Sequence, residues 1–396
     1  MRRQACPIAI GKGQKGVRSR RRLCQAVVAA SILPGAALAQ RTPRVTPKGI
    51  VLGQSAAFSG PAAPFGFQMN AGVKAYFNYV NAQGGVNGRE IELRARDDKY
   101  EASLAAENTR KLIEQDDVFA LIAYVGTPTS AAALPFFTRA RVPFFGPFTG
   151  AEVLRNPFNR YVFNVRASYY DETEKIVEQI VSTGSRTIAV FYQYDSYGQA
   201  GLIGVEQAMA RRRMNISAAA TVDRDATNLV GAVQAIIGPK PDAVIMIAGY
   251  RLVAEFVRGM KKEGYAGQFH NLSLVGAKAL ADALGSDSYG VAVSRVVPDP
   301  WSPTTSVVRE YQGLLGAAGV KEYDFASLEG FLVAKAFTEG LRRAGRDPTP
   351  EQFITALETM ADVDLGGFVI NFSPSNHNGS KFVDLSMIGR NGKLIT

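Results

Sequence analysis

The sequence predicts an α/β protein with two doubly wound, largely parallel sheets. Short apolar runs of strand length alternate with longer segments of helical period. The alternation comes as two series, one before residue 161 and one after it. The chain is also too long for one hydrophobic core, which stops growing at roughly 250–300 residues. Strict strand–helix alternation argues for right-handed βαβ units and a parallel sheet in each series.

The elements follow in order. Residues 49–55 form a short apolar run, read as a buried strand. Residues 65–81 place Met69, Val73, Tyr76, Phe77 and Val80 on one helical face, and Gly84-Gly85-Val86-Asn87-Gly88 stops that helix. Ile91, Leu93 and Ala95 alternate with polar residues, as in a strand. A helix over 102–115, a strand over 119–123, a helix over 130–139 and a strand over 142–145 complete the first series.

The second series runs helix 172–183, strand 187–192, helix 198–212, helix 228–237, strand 243–248, helix 252–263 and strand 291–297. Helices are expected over 306–317, 325–344 and 350–360. Short strands near 368–372 and 382–388 end the chain. This tail is too short for a third domain and should complete the first two.

The N-terminus reads as an export leader. Arg18-Ser19-Arg20-Arg21-Arg22 precedes an apolar stretch over 23–33, and Ala37-Leu38-Ala39 supplies the small-x-small pattern of a cleavage site. Cleavage leaves a chain beginning near Gln40, and residues 40–48 form a polar, proline-punctuated linker. The arginine run fits a twin-arginine signal or an ordinary Sec-type leader. The apolar stretch is shorter than the ~20 residues a bilayer span needs. A soluble periplasmic product is expected.

Removing residues 1–39 changes the composition argument. The formal charge of +10 includes eight basic leader residues and no leader acid. Without them, 37 basic residues face 35 acidic ones, a balance of +2. No electrostatic case remains for nucleic acid. Both cysteines, Cys6 and Cys24, also fall in the leader, so no disulfide, thiol nucleophile or thiolate metal site is expected.

Motifs for catalysis are missing. The two histidines, His270 and His377, have no metal-ligand spacing. There is no Gly-x-Ser-x-Gly elbow and no phosphate-binding Gly-x-x-x-x-Gly-Lys loop. The glycines at 84–88 follow a helix and precede a strand, the reverse of a dinucleotide site. Asp97-Asp98, Asp116-Asp117 and the acids Glu172 and Glu174 fit solvated strand and helix ends. No catalytic residue, metal or cofactor is expected, and binding is favoured over catalysis.

The loops after the strands carry the binding case, because open α/β sheets bind ligands beyond the carboxyl ends of their strands. Those loops hold Phe65, Thr127, Thr129, Phe148, Thr149, Tyr169, Tyr194 and Tyr250. Hydroxyls and free amides at helix starts suit a carboxylate, though capping accounts for Thr127 and Thr129 equally well. The aromatic rings offer flat apolar contact area.

Several of these segments carry a resemblance. Gly53-Gln54-Ser55, Ser59-Gly60-Pro61, Phe65-Gly66 and Asn81-Ala82-Gln83-Gly84-Gly85-Val86-Asn87-Gly88-Arg89 resemble the opening of the periplasmic leucine/isoleucine/valine-binding proteins. The likeness continues through Asp97-Asp98, Gly126-Thr127-Pro128-Thr129-Ser130, Tyr161-Val162-Phe163 and Asp195-Ser196-Tyr197-Gly198. It implies a type I periplasmic binding protein, two lobes joined by a three-crossover hinge. Lobe 1 would comprise 49–164 plus 298–366, and lobe 2 would comprise 165–297 plus 367–396.

By that resemblance, Thr127 presents a hydroxyl to a ligand carboxylate. Phe148 and Thr149 lie in a loop that contributes backbone groups. Tyr169, Tyr194 and Tyr250 face the cleft from the second lobe. Ser273 stands where the family's amino-acid binders keep an acid for the ligand ammonium, which points away from a simple α-amino acid. The implied role is a monomeric solute-binding protein, not an enzyme. It would capture a small carboxylate-bearing or otherwise polar or aromatic molecule by cleft closure and deliver it to the membrane permease of an ABC importer. A ligand-sensing receptor subunit of the same fold is one alternative. An exported amidase or hydrolase on an α/β scaffold is another.

Overall fold

The computed structural model describes residues 49–320 and 322–395. The expected leader, the cleavage site and the linker to residue 48 lie outside the described residues. The first series forms β1 (Gly49–Ala56), α1 (Ala63–Ala82), β2 (Glu90–Asp97), α2 (Ala102–Glu114), β3 (Ala120–Ile122), α3 (Thr127–Ala140), β4 (Phe144–Phe145) and β5 (Val162–Phe163). Its five strands pair in the order β2-β1-β3-β4-β5, all parallel.

The second series forms α4 (Tyr169–Ser182), β6 (Ile188–Gln193), α5 (Ser196–Ala210), β7 (Ala218–Val222), α6 (Val230–Ile237), β8 (Ala243–Ile247), α7 (Tyr250–Lys262), β9 (Gln268–Asn271), α8 (Ala277–Leu284) and β10 (Ala292–Arg295). After it come α9 (Ser306–Ala317), α10 (Phe325–Ala344), α11 (Pro350–Leu357), β11 (Val363–Asp364), β12 (Val369–Ile370), β13 (Asp384–Ile388) and β14 (Leu394–Ile395). The second sheet runs β14-β13-β10-β9-β8-β6-β7, parallel from β10 to β7 and antiparallel at β13 and β14. The fold is therefore the expected α/β architecture with two parallel-sheet lobes.

Strand β1 shows why the sheets are covered on both faces. Ile50 and Leu52 point into one core and Val51 into another, so no polar alternation survives. The apolar stripe of α1 packs on α10, and glycines set how closely. A Cβ on Gly72 would run into the carbonyl oxygen of Ser327, and one on Gly330 into that of Met69. The late helix α10 is thereby fixed against the first lobe, with its N-terminus at the carboxyl end of the sheets.

Three differences from the sequence expectation have physical causes. Strand β7 is an alanine- and threonine-rich edge strand with no apolar run, and α8 has only eight residues. Neither carries enough pattern to read. Helices α3, α4 and α7 start two or three residues earlier than expected, at Thr127, Tyr169 and Tyr250.

The chain also does not leave the first sheet at Gly366-Gly367. Those glycines turn the β11–β12 hairpin. Phe372 then lies edge-on to Phe145 and Phe163 at 6.2 and 5.2 Å, and Asn378 bridges to Asn164. The crossover comes between Ser380 and Asp384, where β13 joins β10. Burial of Ile370 and Phe372 holds the intervening segment with the first core. Among the described residues, no helix is long and apolar enough to cross a membrane.

Candidate ligand-binding cleft

Both sheets reverse their strand order once on the parallel side, between β1 and β3 in the first and between β6 and β8 in the second. The carboxyl ends of strands from both sheets converge on one enclosed space. Phe65 at the start of α1, Phe148 after β4, Ser273 after β9, Arg295 at the end of β10, and Phe325 and Glu329 on α10 line a cavity of about 20 Å³. That is room for a water molecule. The rings of Phe65 and Phe148 sit 6.1 Å apart. Gly276, at φ +78°, lets the Phe65 ring lie where a Cβ would come within 2.6 Å of it.

The centre of the site is a buried guanidinium. Arg166 follows β5 and is almost wholly shielded from solvent. The backbone that carries it is pinned by Arg155, whose Nη2 donates to the carbonyl oxygens of Arg166 and Ala167 at 3.0 and 3.3 Å. Burial pulls the Arg155 guanidinium down to about 10. Arg166 Nη2 donates to Glu172 Oε1 at 3.3 Å and to the Ser273 hydroxyl. Its guanidinium stands 5.0 Å from the centre of the Phe148 ring. Arg166 Nε and Nη1 have no hydrogen-bond partner. Burial opposes its charge, but Glu329 and Glu172 together hold it above its usual pKa.

Two carboxylates flank Arg166. Glu172, in the first turn of α4, accepts from the Ser273 backbone N–H at 2.9 Å, the Ser273 hydroxyl at 3.1 Å and the Ser294 hydroxyl at 2.6 Å. The Ser168–Asp171 capping box sets that turn. Glu329 arrives from α10. Its Oε1 lies 3.7 Å from Arg166 Nε and has no hydrogen-bond partner. Burial pushes its carboxyl up to about 7, against the pull of Arg166.

Beside this cluster runs a chain of hydroxyls. Thr127 and Thr149 are 2.7 Å apart, and Thr149 donates to the Tyr169 hydroxyl at 3.1 Å. The Tyr169 ring stands 5.3 Å from that of Tyr197, a buried residue whose hydroxyl has no partner. At the rim, Arg224 of the second lobe donates to the Tyr100 carbonyl at 2.8 Å and pairs with Glu101 at 2.6 Å. That exposed contact between lobes is worth only ~0–1 kcal/mol.

The structure thus brings Phe65, Phe148 and Ser273 to the cavity and places Thr127, Thr149 and Tyr169 in the adjoining hydroxyl chain. Thr129 turns away: its hydroxyl donates back to the carbonyl oxygens of Val125 and Gly126, so it neither caps α3 nor faces the cleft. Tyr194 is 71% exposed, and Tyr250 is half-buried at the first turn of α7, outside the cavity lining. Arg166, Glu172, Glu329 and Tyr197 were not legible as site residues. Glu172 looked like a helix-end acid, and Glu329 sits mid-helix among apolar residues with only its burial to mark it. The loop after β9 does lack an acid, as Ser273 indicated. Carboxylates nevertheless reach the cleft from α4 and α10, so that loop does not decide the ligand's charge.

The model of one family, described as periplasmic binding protein, matches residues 49–393. The chain belongs to that family. A possible leucine/isoleucine/valine-binding protein from Rhodopirellula baltica superposes with a TM-score of 0.83 at 30% identity, covering 89% of this chain and 98% of that one. A substrate-binding periplasmic protein from Ralstonia solanacearum gives 0.82 at 33% identity, covering 87% and 99%. Leu/Ile/Val-binding protein homolog 7 of Brucella abortus is 24% identical over 370 residues, 88% of this chain and 90% of its own length. These relatives are solute-binding proteins, and the likeness to the leucine/isoleucine/valine-binding type read from the loops holds over the chain. Periplasmic binding proteins of this type are the small-molecule-binding components of ABC transporters.

Proposed function

We propose that the chain is exported, loses residues 1–39, and serves as the periplasmic receptor of an ABC importer for a small carboxylate-bearing solute with an apolar or aromatic body. The observation that carries this reading is Arg166. Two nitrogens of its buried guanidinium lack hydrogen-bond partners, beside the Phe148 ring. A buried unpaired donor on a charged group is costly, and a ligand carboxylate removes that cost.

In this reading Phe65 and Phe148 enclose the apolar portion, and Ser273 positions the guanidinium. Thr127, Thr149 and Tyr169 supply further hydroxyls, and the closed lobes present one surface to the permease. Residues 49–164 with the segment from 298 to about 380 form one lobe, and 165–297 with the C-terminal strands form the other. Ligand favours closure only through its higher affinity for the closed state.

Calorimetric titration and thermal shift of the exported protein test this. Phenylpropanoate, 4-methylpentanoate, phenylalanine and leucine are compared with the amides of the same skeletons. A bound carboxylate at about 100 times its Kd should add about 2.7 kcal/mol of stability, and scattering should show a smaller radius when it binds. Equal binding of the neutral amides would remove Arg166 as the anchor and overturn the reading.

A further inference from the structure

The hydrogen bonds to the buried charges around the cavity are not shared evenly, and Glu329 is left short. Glu172 is fully occupied. It takes one ion pair and three further hydrogen bonds, all from residues fixed by the fold. That set orients Arg166 without any ligand, while Glu329 shares in sustaining its charge. Glu329 lines the same cavity from the opposite side, is buried, and has no hydrogen-bond donor on Oε1. Its one close charged neighbour, Arg166 Nε at 3.7 Å, lies beyond hydrogen-bonding reach. A carboxyl kept in that state costs stability, which is the mark of a group held for something else.

We propose that Glu329 is the second polar anchor of the ligand. It accepts a hydrogen bond from a donor group, an ammonium or a hydroxyl, carried next to the carboxylate that meets Arg166. The inference rests on the carboxylate reading above and deepens it. The short Arg166–Glu329 separation limits the pair to a compact head, with donor and carboxylate on neighbouring carbons. The apolar side of the cleft, with Phe65, Phe148 and Phe325, then faces the tail once the lobes part to admit it.

The chemistry makes the two ligand types respond differently to pH. The groups facing Glu329 are Arg166 from the β5–α4 crossover, Glu172 from α4 and Arg155 from the segment before β5. Asp324, on its own helix, lines the same cavity. Once Arg166 is shared with a plain carboxylate, an ionised Glu329 repels that ligand. Plain acids therefore need Glu329 protonated, whereas a ligand ammonium favours its ionised form.

The experiment is calorimetric titration of the exported protein with two matched sets. One is 4-methylpentanoate, 2-hydroxy-4-methylpentanoate and leucine; the other is 3-phenylpropanoate, 3-phenyllactate and phenylalanine. Each is measured at about pH 6 and pH 8, in wild type and in Glu329→Gln. Within the set that fits the tail site, the donor-bearing members should bind about tenfold or more tighter than the plain acid at the higher pH, the scale of a charge-assisted hydrogen bond.

Plain-acid affinity should fall by up to about tenfold per pH unit above neutrality in wild type. In E329Q that fall should vanish, and the preference for donor-bearing ligands should shrink. The pH dependence of wild type alone serves if the variant does not fold. Plain acids binding as tightly as their donor-bearing partners at both pH values would overturn the role of Glu329 and leave the carboxylate reading standing. No binding by any member of either set would overturn both.

Discussion

Glu172 and Glu329 flank the same guanidinium from opposite sides of the cleft, and they differ in everything but charge. Glu172 sits at a helix N-terminus, where free amides and the helix dipole favour an anion, and four donors converge on it. Glu329 sits in the second turn of α10, boxed in by apolar neighbours, with no donor on Oε1. The first carboxylate is part of the scaffold. The second is a buried group whose Oε1 the fold leaves unsatisfied, and burial, with a smaller push from Glu172, raises its carboxyl to about 7. A buried charge is structural when its partners come from the fold and a candidate anchor when they do not.

The sharpest way to break the comparison is to remove the satisfied acid. Glu172→Gln strips Arg166 of its paired counter-charge, and breaking a buried pair from one side costs about 3–5 kcal/mol. Chemical denaturation at neutral pH should show that loss, and Glu329 should then ionise at lower pH as the replacement partner. A loss below about 1 kcal/mol would mean the two acids are equivalent.

The next effect has the opposite sign. The folded state raises the Glu329 carboxyl from 4.5 to about 7, so the protonated form is the one the fold favours. Its contribution is fully present below the unfolded value and is lost as pH rises through about 7. Glu329→Gln removes that titration. The variant should be more stable than wild type at about pH 8, by on the order of 2 kcal/mol, with the gap closing towards about pH 4. A variant less stable than wild type at pH 8 would show that Glu329 is satisfied after all.

The smallest effect sharpens the other side. Ser294→Ala takes away one of the donors to Glu172 and should cost about 1 kcal/mol. Urea unfolding measures it. A loss of about 3 kcal/mol or more would make the Ser294 hydroxyl, rather than the whole set, the contact that holds Glu172 in place.

Much of this molecule is written in local pattern. The stripe Met69–Val73–Tyr76–Phe77–Val80 specifies α1 because periodic apolar residues must share one face. The apolar run at β8 specifies a strand covered on both sides. The order of strands and helices then leaves two parallel sheets, and loops such as the one bearing Thr127 and Phe148 fall at their carboxyl ends. Ser273 was legible only as a position without an acid. What tertiary structure alone decided is how distant residues meet. Arg166, Ser273 and Ser294 converge from separate elements of the second lobe, and Glu329 reaches them from α10 of the first. Thr129 and Tyr194 share the loop chemistry of the site, yet one hydroxyl bonds back to the carbonyls before its own helix and the other ring faces solvent. The tail beyond Gly366-Gly367 stays with the first core because Ile370 and Phe372 are buried there, a packing choice that no local pattern states. Sequence fixes which residues are apolar, helical or turn-forming, since those preferences act over a few neighbours. Which buried charge finds a partner depends on contacts more than a hundred residues apart, and only the folded chain makes them.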